Sequence, residues 1–328
     1  MIILESRDSK IWNIEHKVID IIKEATFDND SKIIIHMNTE GPCLRSCNFY
    51  NILDTIVKTF NIDKKRFIIQ TSNVEEYHSE YTIEIQNNIW VNPCQSIQKD
   101  VAIKNSILQT VGCFIGKTTW ERLVLVSWLD NFYNKKTVLS CNYDNVSEIQ
   151  QSSLDLNKIM QTCPTEISTA IDFLKTCPKK IPTKTMIDYT IKDTFDRVLY
   201  YVVDLTDIYP NIFSELVCET YFSGLTFFPT EKTFRPIMNL TPTIIFGSQG
   251  FLSNMQRCGF KTFSDYWDES YDDLQDYERI QAIQSVLKKL FLLDHKELTD
   301  MYADMLPILI HNKNRLITMR PEELKLVG

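Results

Sequence analysis

The sequence predicts an α/β protein with two parallel sheets, each assembled from strand–helix–strand units. Three observations predict it. Short apolar runs of strand length occur at 31–37 (SKIIIHM), 66–70 (RFIIQ), 107–115 (ILQTVGCFI) and 243–247 (TIIFG). Stretches with apolar residues at helical spacing, such as 49–60 and 120–133, lie between or after them. The strand–helix–strand order then occurs on both sides of a mixed polar stretch at 92–105, which is the pattern of parallel sheets joined by crossover helices. A boundary in that stretch divides the chain into an N-terminal half, 1–103, and a C-terminal half, 104–328.

Each element has a local reason. Residues 17–25 (KVIDIIKEA) have helical period. The strand at 31–37 ends in the polar loop Asn38-Thr39-Glu40-Gly41-Pro42, and 49–60 is again helical. The strand at 66–70 closes with Thr71-Ser72-Asn73. Ligands of parallel sheets sit beyond the carboxyl ends of the strands, which places 38–41 and 73–76 at a ligand-facing edge. In the second half, a strand at 107–115 and a turn at 116–119 precede a helix at 120–133, with Thr118 or Thr119 as its cap. A strand follows at 136–140. The stretch 142–184 is rich in Ser, Thr, Asn and Pro and reads as irregular connection or short helices. A strand at 213–220 and a loop at 221–229 lead to Thr230, whose side chain suits a helix N-cap. A helix at 231–239, a strand at 243–247, a short helix at 251–258 and an extended segment at 259–263 follow. Two amphipathic helices, 281–293 and 297–311, close the pattern.

Composition excludes several classes. The chain has 328 residues, 44% of them hydrophobic, which is too apolar for disorder and long enough for about two domains. Thirty-five basic against 43 acidic residues leave a formal charge of −8, which argues against a general nucleic-acid coat. A local basic groove with Lys64, Lys65, Arg66 and Lys99 at one edge would reverse that argument. No apolar run reaches the roughly 20 residues of a membrane span, and the start, MIILESRDSK, lacks the features of a secretory signal. Nine scattered cysteines without a CxxC read as reduced thiols in a cytoplasmic protein.

The candidate chemistry concentrates at helix starts. Thr230-Glu231-Lys232-Thr233-Phe234-Arg235 combines a capped N-terminus with Lys232 and Arg235 three residues apart. That is a cradle for pyrophosphate, with Glu231 able to accept hydrogen bonds from ribose hydroxyls. A plain capped surface helix carries the same charges. Lys117 and Arg122 flank a second helix start after Gly116, and the same two readings apply. Glu40, in its Gly-Pro turn, is a candidate general base if buried and a solvated acid otherwise. Seven acids between 265 and 278 are a possible metal site on composition, but acids at helix starts need no metal, so no metal is assigned. The Gly-rich phosphate loops and the serine- and zinc-hydrolase signatures are absent from a chain with eight glycines. A nucleotide site here must use helix ends and cations, which narrows the field toward sugar-nucleotide transferases with two facing Rossmann-like domains.

The string at 230–247, TEKTFRPIMNLTPTIIFG, resembles the sugar-nucleotide motif of the α1,3-fucosyltransferase-like glycosyltransferases of GT-B fold. Glu219 matches the acidic strand end of that motif, and Glu231 and Lys232 match its E-K pair. Continued through GFKTFSDYWDESYDD, the string is similar to glycosyltransferase-like proteins of phages and large DNA viruses. Two weaker patches, 38–41 (NTEG) and 116–123, fit the same group. The resemblance implies metal-independent transfer from a nucleoside-diphosphate sugar, with no permanently bound cofactor. It places Arg122 and Lys232 on the diphosphate, Glu231 on the ribose and Glu40 as the base of the acceptor domain.

The expectation is therefore a GT-B-like glycosyltransferase with facing Rossmann-like domains. Catalytic Glu40 would serve the acceptor, and Lys117, Arg122, Glu219, Thr230, Glu231, Lys232 and Arg235 would hold the donor. The acceptor hydroxyl would belong to a glycan, a protein or a hydroxymethylated base of viral DNA. The rival is a non-catalytic binding or virion-associated protein that keeps the fold.

Overall fold

A computed structural model describes residues 2–5, 32–37, 41–85, 103–116, 118–141, 149–181, 186–192, 198–203, 205, 207–320 and 323. They form an α/β fold with two four-stranded parallel sheets and eight α-helices. The first sheet has the order β1 (Ile2–Glu5), β2 (Ile33–Met37), β3 (Phe67–Thr71), β4 (Thr82–Ile85), in sequence order. Helix α1 (Phe49–Phe60) joins β2 to β3. Ile33, Ile35, Met37, Phe67 and Ile69 alternate into a core shared with Phe49, Leu53 and Val57 of α1. The strand period of two and the helix period of 3.6 thus meet on one buried surface.

The second sheet has the order β10-β9-β5-β6, again all parallel. Its strands are β5 (Gln109–Ile115), β6 (Thr137–Cys141), β9 (Ile212–Cys218) and β10 (Thr243–Phe246). After β5 the chain crosses through α2 (Trp120–Tyr133) to β6 on one flank. It returns later to β9 on the other flank of β5. The strand order therefore reverses between β5 and β9, and that switch point is where open parallel sheets bind ligands. All seven residues of β9 and all four of β10 are buried, as expected of strands covered on both faces. Helix α2 is buried from Glu121 to Leu129. It packs against α3 (Ile149–Thr162), α4 (Ile167–Lys175) and α7 (Asp276–Leu292), so it is an internal helix rather than an amphipathic surface one. Helices α5 (Glu231–Met238) and α6 (Phe251–Arg257) flank β10 in the chain, and the long α8 (His295–Thr318) packs on α5 and β9.

Several elements differ from the sequence expectation. Of the two readings of residues 142–184, irregular connection or short helices, the described residues follow the second, with α3 and α4. The run at 198–203 is β8 (Val198–Val203), paired antiparallel with β7 (Met186–Lys192), and neither was foreseen. Strands β1 and β4 were missed as well; each is only four residues long. The segment at 259–263, expected to be extended, pairs with no strand among the described residues. Asn312 of α8 takes its backbone instead, accepting from Lys261 N at 2.7 Å and donating to Lys261 O at 2.8 Å. A side-chain amide thus substitutes for a neighbouring strand. The helix expected at 17–25 lies outside the described residues.

Lys104 anchors the edge of the second sheet opposite the switch point. Its Nζ donates to Ile212 O at 2.7 Å and Thr241 Oγ1 at 2.9 Å, and it lies 5.2 Å from the centre of the Tyr302 ring. Burial pushes its pKa down to about 7, with Glu215 opposing the fall. Between that value and the ordinary lysine range, the unfolded chain binds a proton that the folded chain does not. Stability from this group therefore rises with pH across the window from about 7 to 10, with a slope approaching about 1.4 kcal/mol per pH unit. Urea midpoints at pH 7 and pH 9 should show this rise as a difference between wild type and Lys104→Met. Equal pH dependence in the two proteins would refute it.

Candidate functional site at the strand switch point

Glu219 follows the last residue of β9 and is buried. Its carboxylate closes the start of α5. Oε1 accepts from Thr230 N at 3.0 Å and Thr233 Oγ1 at 2.6 Å, and Oε2 accepts from Thr230 Oγ1 at 2.8 Å. Thr230 caps α5 through its own hydroxyl, which accepts from Lys232 N at 3.3 Å. A strand-end acid and a helix-cap threonine thus fix each other, and the loop 220–229 is bridged at its base.

Two cations reach the same point. Lys232 Nζ donates to Thr220 Oγ1 and Thr230 Oγ1, each at 3.2 Å, and lies 3.9 Å from both Glu219 Oε2 and Glu231 Oε1. Its side chain is 22% exposed, so its head is reachable from solvent. Arg122 comes from the first turn of α2, and its Nη2 donates to Glu219 O at 2.5 Å and Cys218 O at 3.3 Å. Thr119 caps α2, its hydroxyl accepting from Arg122 N at 3.5 Å. Beside it the Thr118 hydroxyl is buried with no hydrogen-bond partner. Of the donor-site residues expected from sequence, Arg122, Glu219, Thr230, Glu231 and Lys232 therefore gather at one strand end.

The structure takes Arg235 away from that group. Its Nη2 pairs with Glu215 Oε1 at 2.8 Å and its Nε donates to Tyr209 Oη at 2.7 Å, in a buried network beneath the helix. Lys232 and Arg235 are three apart, but Lys232 points to the mouth and Arg235 to mid-strand β9. Arg235 is thus corrected from a phosphate ligand to a brace of α5. Lys117 and the candidate base Glu40 lie outside the described residues.

The other candidates have structural duties. Asp272 accepts from Leu252 N and Ser253 N at 3.0 and 3.1 Å, capping α6. Glu269 accepts from Phe263 N at 2.9 Å, and Asp268 from Ser270 N at 2.9 Å. Among the described residues no group of three His, Cys, Asp or Glu is arranged to hold a metal ion. Lys64 pairs with Asp54 and Glu80, both at 2.8 Å, and Arg66 is buried. Those residues precede β3 and so stand at the edge of the first sheet opposite its ligand-facing end. Lys99 is outside the described residues.

The sequence predicts a ligand-facing edge at 73–76, and within it Asn73 has a role that no sequence pattern marks. Its side chain accepts from Phe227 N and donates to Leu225 O, both at 3.0 Å. The loop between β9 and α5 is thereby docked on the carboxyl end of β3. Gly41 has φ 62°, and a Cβ there would lie 2.7 Å from Asn73 N, so only glycine fits. Glu76 completes the junction, accepting from Leu44 N at 2.8 Å and Tyr50 Oη at 3.1 Å. Burial pushes its carboxyl above the usual range while these donors pull against the shift. The available signal was a run of small polar residues directly after a strand, which marks a loop without saying what it grips.

Among the described residues, the switch point offers two helix N-termini, the reachable Lys232 ammonium and a set of threonine hydroxyls. That is a donor-rich lining suited to an anion. Comparison with protein families and with curated proteins gives no match for this chain. Among the described residues no helix is long and apolar enough to cross a membrane.

Proposed function

We propose that the chain is a glycosyltransferase, moving a sugar from a nucleoside-diphosphate sugar to an acceptor hydroxyl. The observation that carries this reading is the meeting of two capped helix starts, α2 and α5, on Glu219 at the switch point. The diphosphate lies across those N-termini. Lys232 takes its charge, Thr118 and Thr220 supply hydroxyl donors, and Arg122 holds the strand end that supports them. Charge that grows on the departing diphosphate is stabilised by these fixed donors. Glu231 receives the ribose hydroxyls. Two facing Rossmann-like domains, 1–103 and 104–328, are part of the proposal. The grip of Asn73 on Leu225 and Phe227 supports it, because it brings the carboxyl ends of both sheets to one junction. The acceptor then enters from the first sheet, and its hydroxyl belongs to a glycan, a protein or a modified DNA base. The resemblance of 230–247 to sugar-nucleotide motifs supports the same reading.

One observation favours a binding protein without chemistry. The site cations already touch internal oxygens: Arg122 two carbonyls, and Lys232 two hydroxyls with two carboxylates at 3.9 Å. A thermal-shift screen with UDP, GDP, CMP, dTDP and their sugars separates the two. A ligand at a hundred times its Kd adds about 2.7 kcal/mol of apparent stability. The transferase reading expects one nucleotide family to stabilise the protein, with the shift largely lost in Lys232→Ala and sugar released to an acceptor on turnover. Stabilisation without turnover across glycan, peptide and hydroxymethylated-DNA acceptors selects the binding protein. No shift with any nucleotide refutes the donor site.

A further inference from the structure

A cavity of about 370 Å³ lies between α6 and the segment 264–273, and it shares no residue with the switch-point group. Among the described residues its wall holds four carboxylates, Asp268, Glu269, Asp272 and Asp273, and no lysine or arginine. Asp268 and Asp273 are exposed, Glu269 is half-buried and Asp272 is buried. Burial pushes the carboxyls of Glu269 and Asp272 above the usual range; backbone donors pull against the shift, and neighbouring acids add to it. The backbone N–H groups that these acids hold leave lone pairs free, since a carboxylate takes about four donors.

Trp267 is part of the same wall and is only 6% exposed. Its indole Nε1 is buried with no hydrogen-bond partner among the described residues. A buried donor left unmet is costly and rare. An occupant of the cavity must therefore supply two things together: positive charge for the acids and an oxygen for the indole N–H.

The acids follow one another around a single turn, and among the described residues no three are gathered to hold a metal ion. Such an arc of oxygens suits a spread cation better than a point charge. A guanidinium presents five N–H donors in a planar fork and lies flat on an aromatic ring. The oxygen comes with it if the guanidinium belongs to an arginine within a peptide, whose carbonyl is neutral. The carboxylate of free arginine would meet the acids instead and be repelled.

We propose that this cavity takes an arginine side chain of a peptide partner, with the guanidinium held by Asp268, Glu269, Asp272 and Asp273 and a peptide carbonyl by the Trp267 indole N–H. The inference is independent of the nucleotide-sugar reading.

The test is NMR of the full chain with isotope-labelled tryptophan, in which Trp267→Phe identifies the Trp267 indole N–H signal by removing it. The probes are N-acetyl-arginine amide, N-acetyl-lysine amide, free arginine and agmatine, which has the guanidinium but no carbonyl. N-acetyl-arginine amide, titrated into the millimolar range, is expected to move that signal to saturation, at several-fold lower concentration than the lysine compound or free arginine. Agmatine is expected to bind more weakly and to leave the N–H signal without a hydrogen-bond shift. Asp268→Asn with Asp273→Asn changes two exposed side chains, and asparagine keeps an oxygen for Ser270 N. That double variant should weaken N-acetyl-arginine amide by about fivefold and flatten its salt dependence. Calorimetric titration of the double variant against wild type decides the matter if Trp267→Phe does not fold. An unmoved Trp267 signal, or an affinity that the double variant leaves unchanged, overturns the proposal. Lysine amide or free arginine bound as tightly overturns the assignment to a peptide arginine. None of these results bears on nucleotide binding at Lys232.

Discussion

Glu219→Ala is expected to cost about 3 kcal/mol of stability and to abolish binding at the switch point. The carboxylate satisfies three donors of α5: Thr230 N, Thr230 Oγ1 and Thr233 Oγ1. All are buried, and each buried donor left unpaired costs about 1–3 kcal/mol, reduced where a threonine hydroxyl can turn elsewhere. Glutamine does not rescue the site. Its amide nitrogen would have to face Thr230 Oγ1, which already accepts from Lys232 N and Lys232 Nζ. A further donor there meets an oxygen with no free lone pair. Glu219→Gln is therefore expected to fall between wild type and alanine in stability but to resemble alanine in ligand affinity. Urea denaturation supplies the first quantity and calorimetry with the stabilising nucleotide the second. A Glu219→Gln protein with wild-type affinity would show that the cap geometry is irrelevant to the site.

The expected roles of Glu219 and Lys232 and the fate of Arg235 show what the sequence could and could not carry. Strand β9, the cap at Thr230 and the helix after it were legible because each depends on neighbouring residues. An apolar run, a threonine and a charged first turn are local signals. The choice between Lys232 and Arg235 was not local. Both sit on the same helix, and only the position of Glu215 and Tyr209 beneath it decides which cation turns inward. The same holds for Asn73 and its hold on residues more than 150 positions away. The short strands β1 and β4 are defined by the strands they pair with, and four residues carry too little period to announce themselves. Helices α3 and α4 are bounded only loosely by sequence, as short helices or irregular chain, because what fixes them is packing on α2.

Arg235→Met tests that assignment and is expected to cost about 3–5 kcal/mol, the usual penalty for leaving one buried charge without its partner. Arg235, Glu215 and Tyr209 close a triangle, with Tyr209 Oη donating to Glu215 Oε2 at 2.5 Å. Burial alone would push the guanidinium down; Tyr209 and Glu215 together outweigh it and hold it above its ordinary value. For Glu215, burial dominates and pushes the carboxyl up despite Arg235. Removal of the arginine raises Glu215 further. A carboxyl whose folded pKa exceeds its unfolded one contributes stability that is present at low pH and lost as pH rises through the folded value. The loss in Arg235→Met should therefore be smaller at pH 5 than at pH 8. Removing the whole triangle, Arg235→Met with Glu215→Leu and Tyr209→Phe, should recover most of the stability, since apolar groups of similar shape replace a buried polar set at little cost. If Arg235 were instead a phosphate ligand, Arg235→Met would lose nucleotide affinity while leaving urea midpoints near wild type and without this pH dependence. The two roles thus predict opposite pairs of results from one variant.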